Sequence, residues 1–524
     1  MDTVVSKLEE RYKKLGGTKP IRNNATAAEL VELCNEREGL IDVNKLIDRS
    51  IESLEFDGTA IGDYAFAYCK KLSSIKCPNA TTLGNYAFYE SDELQEIKET
   101  DFPEVTSIGS YCFGRASTNK GLESASFPKC TNIGDHAFYN CNVLSSINIP
   151  NVTSLGSHVF YGASSLTSIS LPKITNIPSY AFYDADITDI NLPKATTIGD
   201  YAFYGKWKIA PFSLNLPEAT TISQYAFSNR DVTAFNLPKL ITLGKNAFQN
   251  CKNLASVSLP EVLNIAEYAF AKCDSLSSVS IPKATVIKAN TFLTCIALTS
   301  VNLPEATNVQ SNGFKECSSL TSISLPKATS IGSDCFKGCT SLSSVNLPEL
   351  TALNGTVFDG CTSLTSIELP KVTSAMAYPF KNCTSLTHIS LPSITKCENY
   401  LFATCSALTS VNIPEATSIG SDAFDGCSSL VSLDLSSKMA TIANYAFYNC
   451  SSLNTLILRS NSKVALANDM AFLGTPFASG GTGGTIYVPQ ALISTYSTDS
   501  KWKTIINRAN NNIAAIEGSI YEED

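Results

Sequence analysis

CSSLTSISLPKATSIGSDCF, residues Cys317 to Phe336, decides how the rest of the chain is read. The unit recurs. Its closing phenylalanine returns nineteen times between Phe66 and Phe472, at a step of 22 residues from Phe248 to Phe424 and of 21 to 25 elsewhere. A fixed period in the twenties is the mark of a solenoid, in which each repeat is one small structural unit.

Within one unit, Leu320, Ile323 and Leu325 follow the pattern L-x-x-I-x-L. Ile323 and Leu325 alternate with polar neighbours, so a strand puts both on one face. Pro326 ends that strand, because it has no N–H to give to a ladder. Ile331 and Phe336 are the next apolar positions and turn back to the same interior. One unit cannot bury this stripe alone. Stacked copies make a continuous core and one long parallel β-sheet. About nineteen repeats at roughly 4.8 Å per strand give a sheet of very roughly 90 Å.

The motif C-x-x-L-x-x-I-x-L-P-x-x-x-x-I-x-x-x-A-F closely resembles the BspA-like leucine-rich repeat, also called the Treponema pallidum type. The resemblance covers about residues 50 to 490. It implies a curved leucine-rich-repeat solenoid used for adhesion and recognition, with no catalytic residues to carry over.

Composition narrows the function. At 524 residues the chain exceeds what one ordinary globular core holds. A solenoid escapes that bound, since each repeat meets only its neighbours. Charged residues are 17%, so the surface is mainly hydroxyl and amide. A net charge of −9 disfavours nucleic-acid binding, which needs a surplus of Lys and Arg on one face. No run of eighteen apolar residues is present, so no membrane insertion by a helix is expected. The opening MDTVVSKLEERYKKLGG has no apolar stretch of the kind a signal peptide carries. Adhesins of the resembled family reach the cell surface through such a signal. Its absence points to synthesis in the bacterial cytoplasm and a place in a phage virion, or to an adhesin trimmed of its leader.

Of the 18 cysteines, Cys251, Cys273, Cys295, Cys317, Cys339, Cys361, Cys383, Cys405 and Cys427 stand in register. Each has a like neighbour on either side, so disulfide pairing would be ambiguous and is not expected. Ala163 and Ala185 take the same position in earlier repeats, which points to a buried small-residue column. There is no C-x-x-C, and no metal or other cofactor is expected. The histidines His136, His158 and His388 have no Asp or Cys arranged beside them in a known motif. G-x-S-x-G, H-E-x-x-H and P-loop patterns are missing, so the chain reads as non-enzymatic.

Three segments follow. Residues 1–50 read as a helical attachment or capping segment, with Val5, Leu8, Tyr12 and Leu15 at heptad spacing and a capping box at Thr26 and Glu29. Residues 51–473 are the solenoid, least regular near GRASTNKG at Gly114 to Gly121 and around Trp207. Residues 474–524 are a glycine-rich loop, a final strand at Ile486 to Pro489 and a helical cap carrying Tyr496, Trp502, Ile513 and Ile516. An open solenoid end exposes core and sheet edge, so a cap is physically required. This last segment resembles caps found after such repeats in gut Firmicutes proteins and prophages.

Three surface rows are candidates for function. The outward strand positions, among them Ser277, Ser278, Ser280, Thr299, Ser300, Asn302, Thr321, Ser322 and Ser324, form a carpet of hydroxyls and amides suited to a glycan or repetitive polymer. A column after the proline alternates in sign, through Lys239, Glu261, Lys283, Glu305, Lys327, Glu349 and Lys371, and reads as an inter-repeat ion ladder. Tyrosines flank the repeat phenylalanine, as at Tyr180 and Tyr183, and crowd into the first half. They read either as packing between turns or as aromatic rows for sugars or partner surfaces. The leading expectation is a phage tail or baseplate protein. It would be docked to other virion proteins through residues 1–50 and would present the solenoid to a host cell-surface protein or glycan. The alternatives are a bacterial cell-surface adhesin and a purely structural virion component.

Overall fold

The structure, a computed structural model, describes residues 51–116, 120–205, 211–508 and 510–521. The expected N-terminal helices in residues 1–50 lie outside the described residues, as do Trp207 and the middle of the Gly114 to Gly121 insert. The chain divides into two compact units, Met1–Cys251 and Lys252–Asp524.

The second unit shows the repeat most plainly. Ser322–Ser324 is a strand whose central Ile323 is buried between two exposed serines. It lies parallel to Ser344–Asn346, with Ile323 opposite Val345. After Leu325 and Pro326 the chain turns and forms a second strand, Ser330–Ile331, with Ile331 buried. That strand pairs in parallel with Asn308–Val309. The single long sheet expected from the sequence is therefore replaced by two columns of short parallel strands, grouped into small sheets. The second strand escapes a sequence reading because two residues are too few to show an alternation.

A third ladder runs through the turn that carries the phenylalanine. Its backbone places left-handed residues four apart, as at Asn312 (φ 58°) and Glu316 (φ 60°) and again at Asp334 (φ 57°) and Gly338 (φ 73°). This spacing aims N–H groups at the following turn: Asn312 to Ser333 O at 3.0 Å, Phe314 to Cys335 O at 2.9 Å and Glu316 to Lys337 O at 2.7 Å. Some N–H groups close within the turn, as Lys315 does to Asn312 O at 3.2 Å, but the rest find their partners one period away.

All nineteen repeat phenylalanines are buried. In the second unit their rings stack turn on turn, with centroids 5.2 Å apart from Phe292 to Phe314 and 5.6 Å from Phe314 to Phe336. The cysteine column is buried beside them and does more than fill space. Thiol after thiol donates to the phenylalanine carbonyl oxygen of the preceding turn, as Cys317 to Phe292 at 3.2 Å, Cys339 to Phe314 at 3.1 Å and Cys361 to Phe336 at 3.2 Å. Burial pushes the Cys295, Cys339 and Cys405 thiols up to about 12, so they remain protonated donors. Alanine could fill the space but could not make this bond.

On the surface, Lys283 reaches Glu261, Lys327 reaches Glu305 and Lys371 reaches Glu349, each at 2.6 Å. Every lysine takes the glutamate of the turn before it, so the expected ladder is a series of pairs. They are exposed and worth about 0–1 kcal/mol each.

The C-terminal end of this unit is closed by a cap. Thr485–Val488 adds a strand to Thr455–Leu458. Two short helices follow, α1 (Ile493–Thr498) and α2 (Trp502–Ile506). Buried Trp502 donates its indole N–H to Val464 O at 2.8 Å, and the buried Tyr496 hydroxyl accepts from Val464 N at 2.9 Å. The helical reading fails beyond α2. Asn512–Ala515 is a strand, parallel to Thr485–Val488 with Ile513 opposite Ile486. Asn511 breaks the helix, donating to Ile505 O at 2.8 Å and accepting from Gly484 N at 3.1 Å.

The first unit repeats this plan, but two irregular turns are each plugged by a buried arginine. Arg115 meets Asp92 and the Ser91 carbonyl oxygen, both at 2.8 Å. Gly121, at φ 108°, packs on that guanidinium with no room for a Cβ. Arg230 spans two turns, donating to Ala185 O at 2.8 Å and to Ile187 O, with its guanidinium carbon 5.4 Å from the centroid of the Phe212 ring. Burial holds it down at about 10, still charged at neutral pH.

Two outcomes follow from these contacts. A thiol reagent added to the native chain should titrate at most Cys34, which lies outside the described residues, while the seventeen described thiols, all buried, react only on unfolding. Rapid modification of several thiols in the native state would contradict the buried column. Arg230→Met leaves two buried carbonyl oxygens unpaired and should destabilise the first unit by about 2–4 kcal/mol in denaturant unfolding. A loss below about 1 kcal/mol would show that the arginine does not plug the gap.

Candidate functional site

The strand face carries the nine residues expected to meet a ligand. Thr299, Ser300, Asn302, Thr321, Ser322 and Ser324 are exposed, as is Ser277, and Ser278 and Ser280 are half-buried. Many of their polar groups already have internal partners. The Ser277 hydroxyl donates to Ala255 O at 3.0 Å, Thr299 to Ser277 O at 3.1 Å, and the Asn302 amide to Ser280 Oγ at 3.1 Å. Ser324 Oγ accepts from Asn346 at 2.9 Å. These bonds tie one turn to the next and leave fewer free donors on this face than its composition suggests.

A more distinctive arrangement lies in the first unit. The residue two before each repeat phenylalanine has a left-handed backbone, from Tyr64 (φ 56°) through Tyr111 (φ 54°) to Tyr225 (φ 55°). Their rings form one column: Tyr64, Tyr86, Tyr111, His136, His158, Tyr180, Tyr201 and Tyr225. Successive centroids are 4.4 Å apart from Tyr111 to His136, 4.5 Å from His136 to His158 and 4.6 Å from His158 to Tyr180, with planes within 7° of parallel. A second column is built from the residue after the phenylalanine. Tyr139, Tyr161, Tyr183 and Tyr204 stack at 5.1, 4.7 and 4.9 Å. The columns run side by side, 5.7 Å apart at Tyr180 and Tyr183. Along the two columns, which touch each other, runs a groove of about 620 Å³ lined by Tyr111, His136, His158, Tyr180 and Tyr201 of the first and by Tyr139, Tyr161 and Tyr183 of the second.

Because the rings cover one another's faces, the columns offer edges and polar tips to the groove. Burial raises the phenols of Tyr111, Tyr161 and Tyr201, and lifts Tyr183 to about 12 with help from Asp184, so all stay protonated donors. Burial lowers His136 and His158; each also stacks on the other, and Asp135 opposes the shift. Both imidazoles are therefore neutral at pH 7, and the Nδ1 atom of each is buried without a hydrogen-bond partner. Among the described residues, no three His, Cys, Asp or Glu side chains converge on a metal-sized site.

The tyrosine rows were legible in the sequence. The two histidines were not: read for catalytic motifs, they look isolated. Their signal was positional, since each stands two residues before a repeat phenylalanine, where the other turns carry tyrosine.

A family model for the BspA type leucine-rich repeat region matches residues 47–151, 84–210, 220–327, 307–418 and 395–479. The chain belongs to the BspA-type leucine-rich repeat family. Among solved structures, a leucine-rich repeat protein from Bacteroides ovatus is similar at 22% identity over 75% of this chain and 92% of its own, with a TM-score of 0.47. A leucine rich cell surface protein from Faecalibacterium prausnitzii is similar at 20% identity over 77% and 91%, with a TM-score of 0.29. The T. pallidum leucine-rich repeat protein matches at 25% identity over 34% and 78%, with a TM-score of 0.26. No curated protein matches the sequence.

In this BspA-type repeat the histidine pair sets a pH dependence. The folded state holds both imidazoles below their ordinary value of 6.5. As pH falls through 6.5 the unfolded chain takes up protons first, so stability present above 6.5 is lost towards the lowered folded values. Replacing both with the tyrosine of the neighbouring turns (His136→Tyr, His158→Tyr) should shrink the fall in Tm between pH 7.5 and 5.5. An unchanged fall would mean that the pair does not titrate in that window.

Proposed function

We propose that this protein is a cell-surface adhesin of the BspA type, which recognises another macromolecule and catalyses nothing. The observation that carries the reading is the aromatic groove of the first unit. It has protonated phenols in two registered rows with neutral imidazoles among them, and its lining holds no carboxylate or thiol beside them. Rings packed face to face in this way make a surface suited to binding and holding. Family membership supports recognition as the general role, since these repeats stack into long polar surfaces.

The tail or baseplate reading rests on the opening residues and on the resemblance of the repeats and cap to prophage sequences, and the described residues add no support to it. A virion role would leave the groove with the same task, contact with a cell surface.

The test is binding of the labelled full-length protein to bacterial envelopes and to animal epithelial cells. Saturable binding, competed by unlabelled protein and weakened by Tyr161→Arg in the groove, is expected. Absence of saturable binding to every surface would overturn the reading. Binding that Tyr161→Arg leaves intact would move recognition away from the groove.

A further inference from the structure

The groove's chemistry also points to a class of ligand. This step rests on reading the groove as the recognition surface. Four ligand classes can be weighed against its geometry. A cation would need an open ring face, where the negative part of the ring's quadrupole lies. Here the faces are covered by neighbouring rings at 4.4 to 5.1 Å, and the edges left over carry the positive part. A polyanion would need cations. The charged groups acting on these rings are instead Asp135, Asp184 and Asp200. An extended peptide places side chains on one face about every 6.6 Å, two residues of strand rise, and so runs out of step with the columns.

A neutral chain of sugar rings meets none of these objections. It advances by about one ring width per residue, comparable to the step between turns. Its hydroxyls both donate and accept, as do the phenols. The rows Tyr139, Tyr161 and Tyr183, and Tyr180 and Tyr201 beside them, present one phenol per turn at that spacing. We propose that the groove binds an uncharged linear carbohydrate, laid lengthwise along the paired columns and hydrogen-bonded by the phenol tips at the ring edges. The raised phenol ionisation noted above fits this role, because a phenolate could no longer donate.

The backbone gives a second reason. In the second unit the same left-handed position is filled by Asn290, Asn312, Asp334 and Asp422 as well as by Tyr268, Tyr378, Tyr400 and Tyr445. The fold accepts either kind of residue there, so the unbroken run of eight stacked rings from Tyr64 to Tyr225 is more than the fold itself requires.

The test uses the full chain and a panel of soluble unbranched neutral oligosaccharides (gluco-, manno- and galacto-configured), with a polyuronate oligosaccharide and an extended polar peptide of equal length as controls. Binding is read by calorimetry. The variant is Tyr139→Phe, Tyr161→Phe, Tyr183→Phe, which keeps the stack and removes three hydroxyls. At least one neutral oligosaccharide should bind, and the variant should bind it at least about tenfold more weakly with its Tm unchanged, the loss expected for three neutral hydrogen bonds. Binding of the polyuronate or peptide in preference, no binding across the neutral panel, or equal affinity in the variant would each overturn the proposal. If cell-surface binding persists in any of those cases, the adhesin reading stands and only the ligand class falls.

Discussion

Among the described residues, the repeats bond only part of their backbone within a turn. Each lends N–H groups to the turn after it through the left-handed segment, as Phe314 does to Cys335, and to the turn before it at the second strand, as Thr329 does to Thr307 O at 3.0 Å. An isolated turn would leave these groups to water and expose its phenylalanine. Stability therefore comes from the interface between turns and grows by addition. Hydroxyl, thiol and ammonium contacts extend the same rule to side chains. Thr307, Cys317 and Lys327 each bond one period back, at 3.1, 3.2 and 2.7 Å.

That rule explains what the sequence makes legible. The 22-residue period, the L-x-x-I-x-L strand and the phenylalanine all report burial, and burial is the strongest signal a sequence carries. The family and the solenoid follow directly. What it hides is backbone detail at the scale of two residues. Ser330–Ile331 forms a strand because Asn308–Val309 in the turn before supplies partners, not because two residues prefer extension. Asn512–Ala515 is a strand for the same reason: the edge of Thr485–Val488 was open, and Asn511 ended the helix before it. Ile513 alone cannot distinguish these outcomes.

The cysteines show a subtler limit. Register and the presence of Ala163 and Ala185 in the same column identify a small buried position. They do not show that the Phe carbonyl oxygen behind it, which accepts the N–H three residues on in its own turn, has a lone pair left for a second donor. Cys295, Cys383 and Cys405 each donate there at 3.2 Å. A thiol is a weak donor. Repeated along the cysteine-bearing turns, it favours cysteine over alanine where a chain must be assembled from many marginal interfaces.

The candidate site inverts the usual relation between strain and use. A lone tyrosine in the left-handed region is an outlier. Here the outlier recurs with the period, so its cost is spread along the column and offset ring by ring. The result is a wall whose tips are spaced by the backbone ladder itself, with no loop to position them. His136 and His158 keep the stack continuous while replacing two phenols with imidazoles. A row so placed has a fixed step and little freedom to adapt. It will discriminate by periodicity before it discriminates by shape, which is the property a binder of repetitive polymers needs and a binder of compact protein surfaces does not.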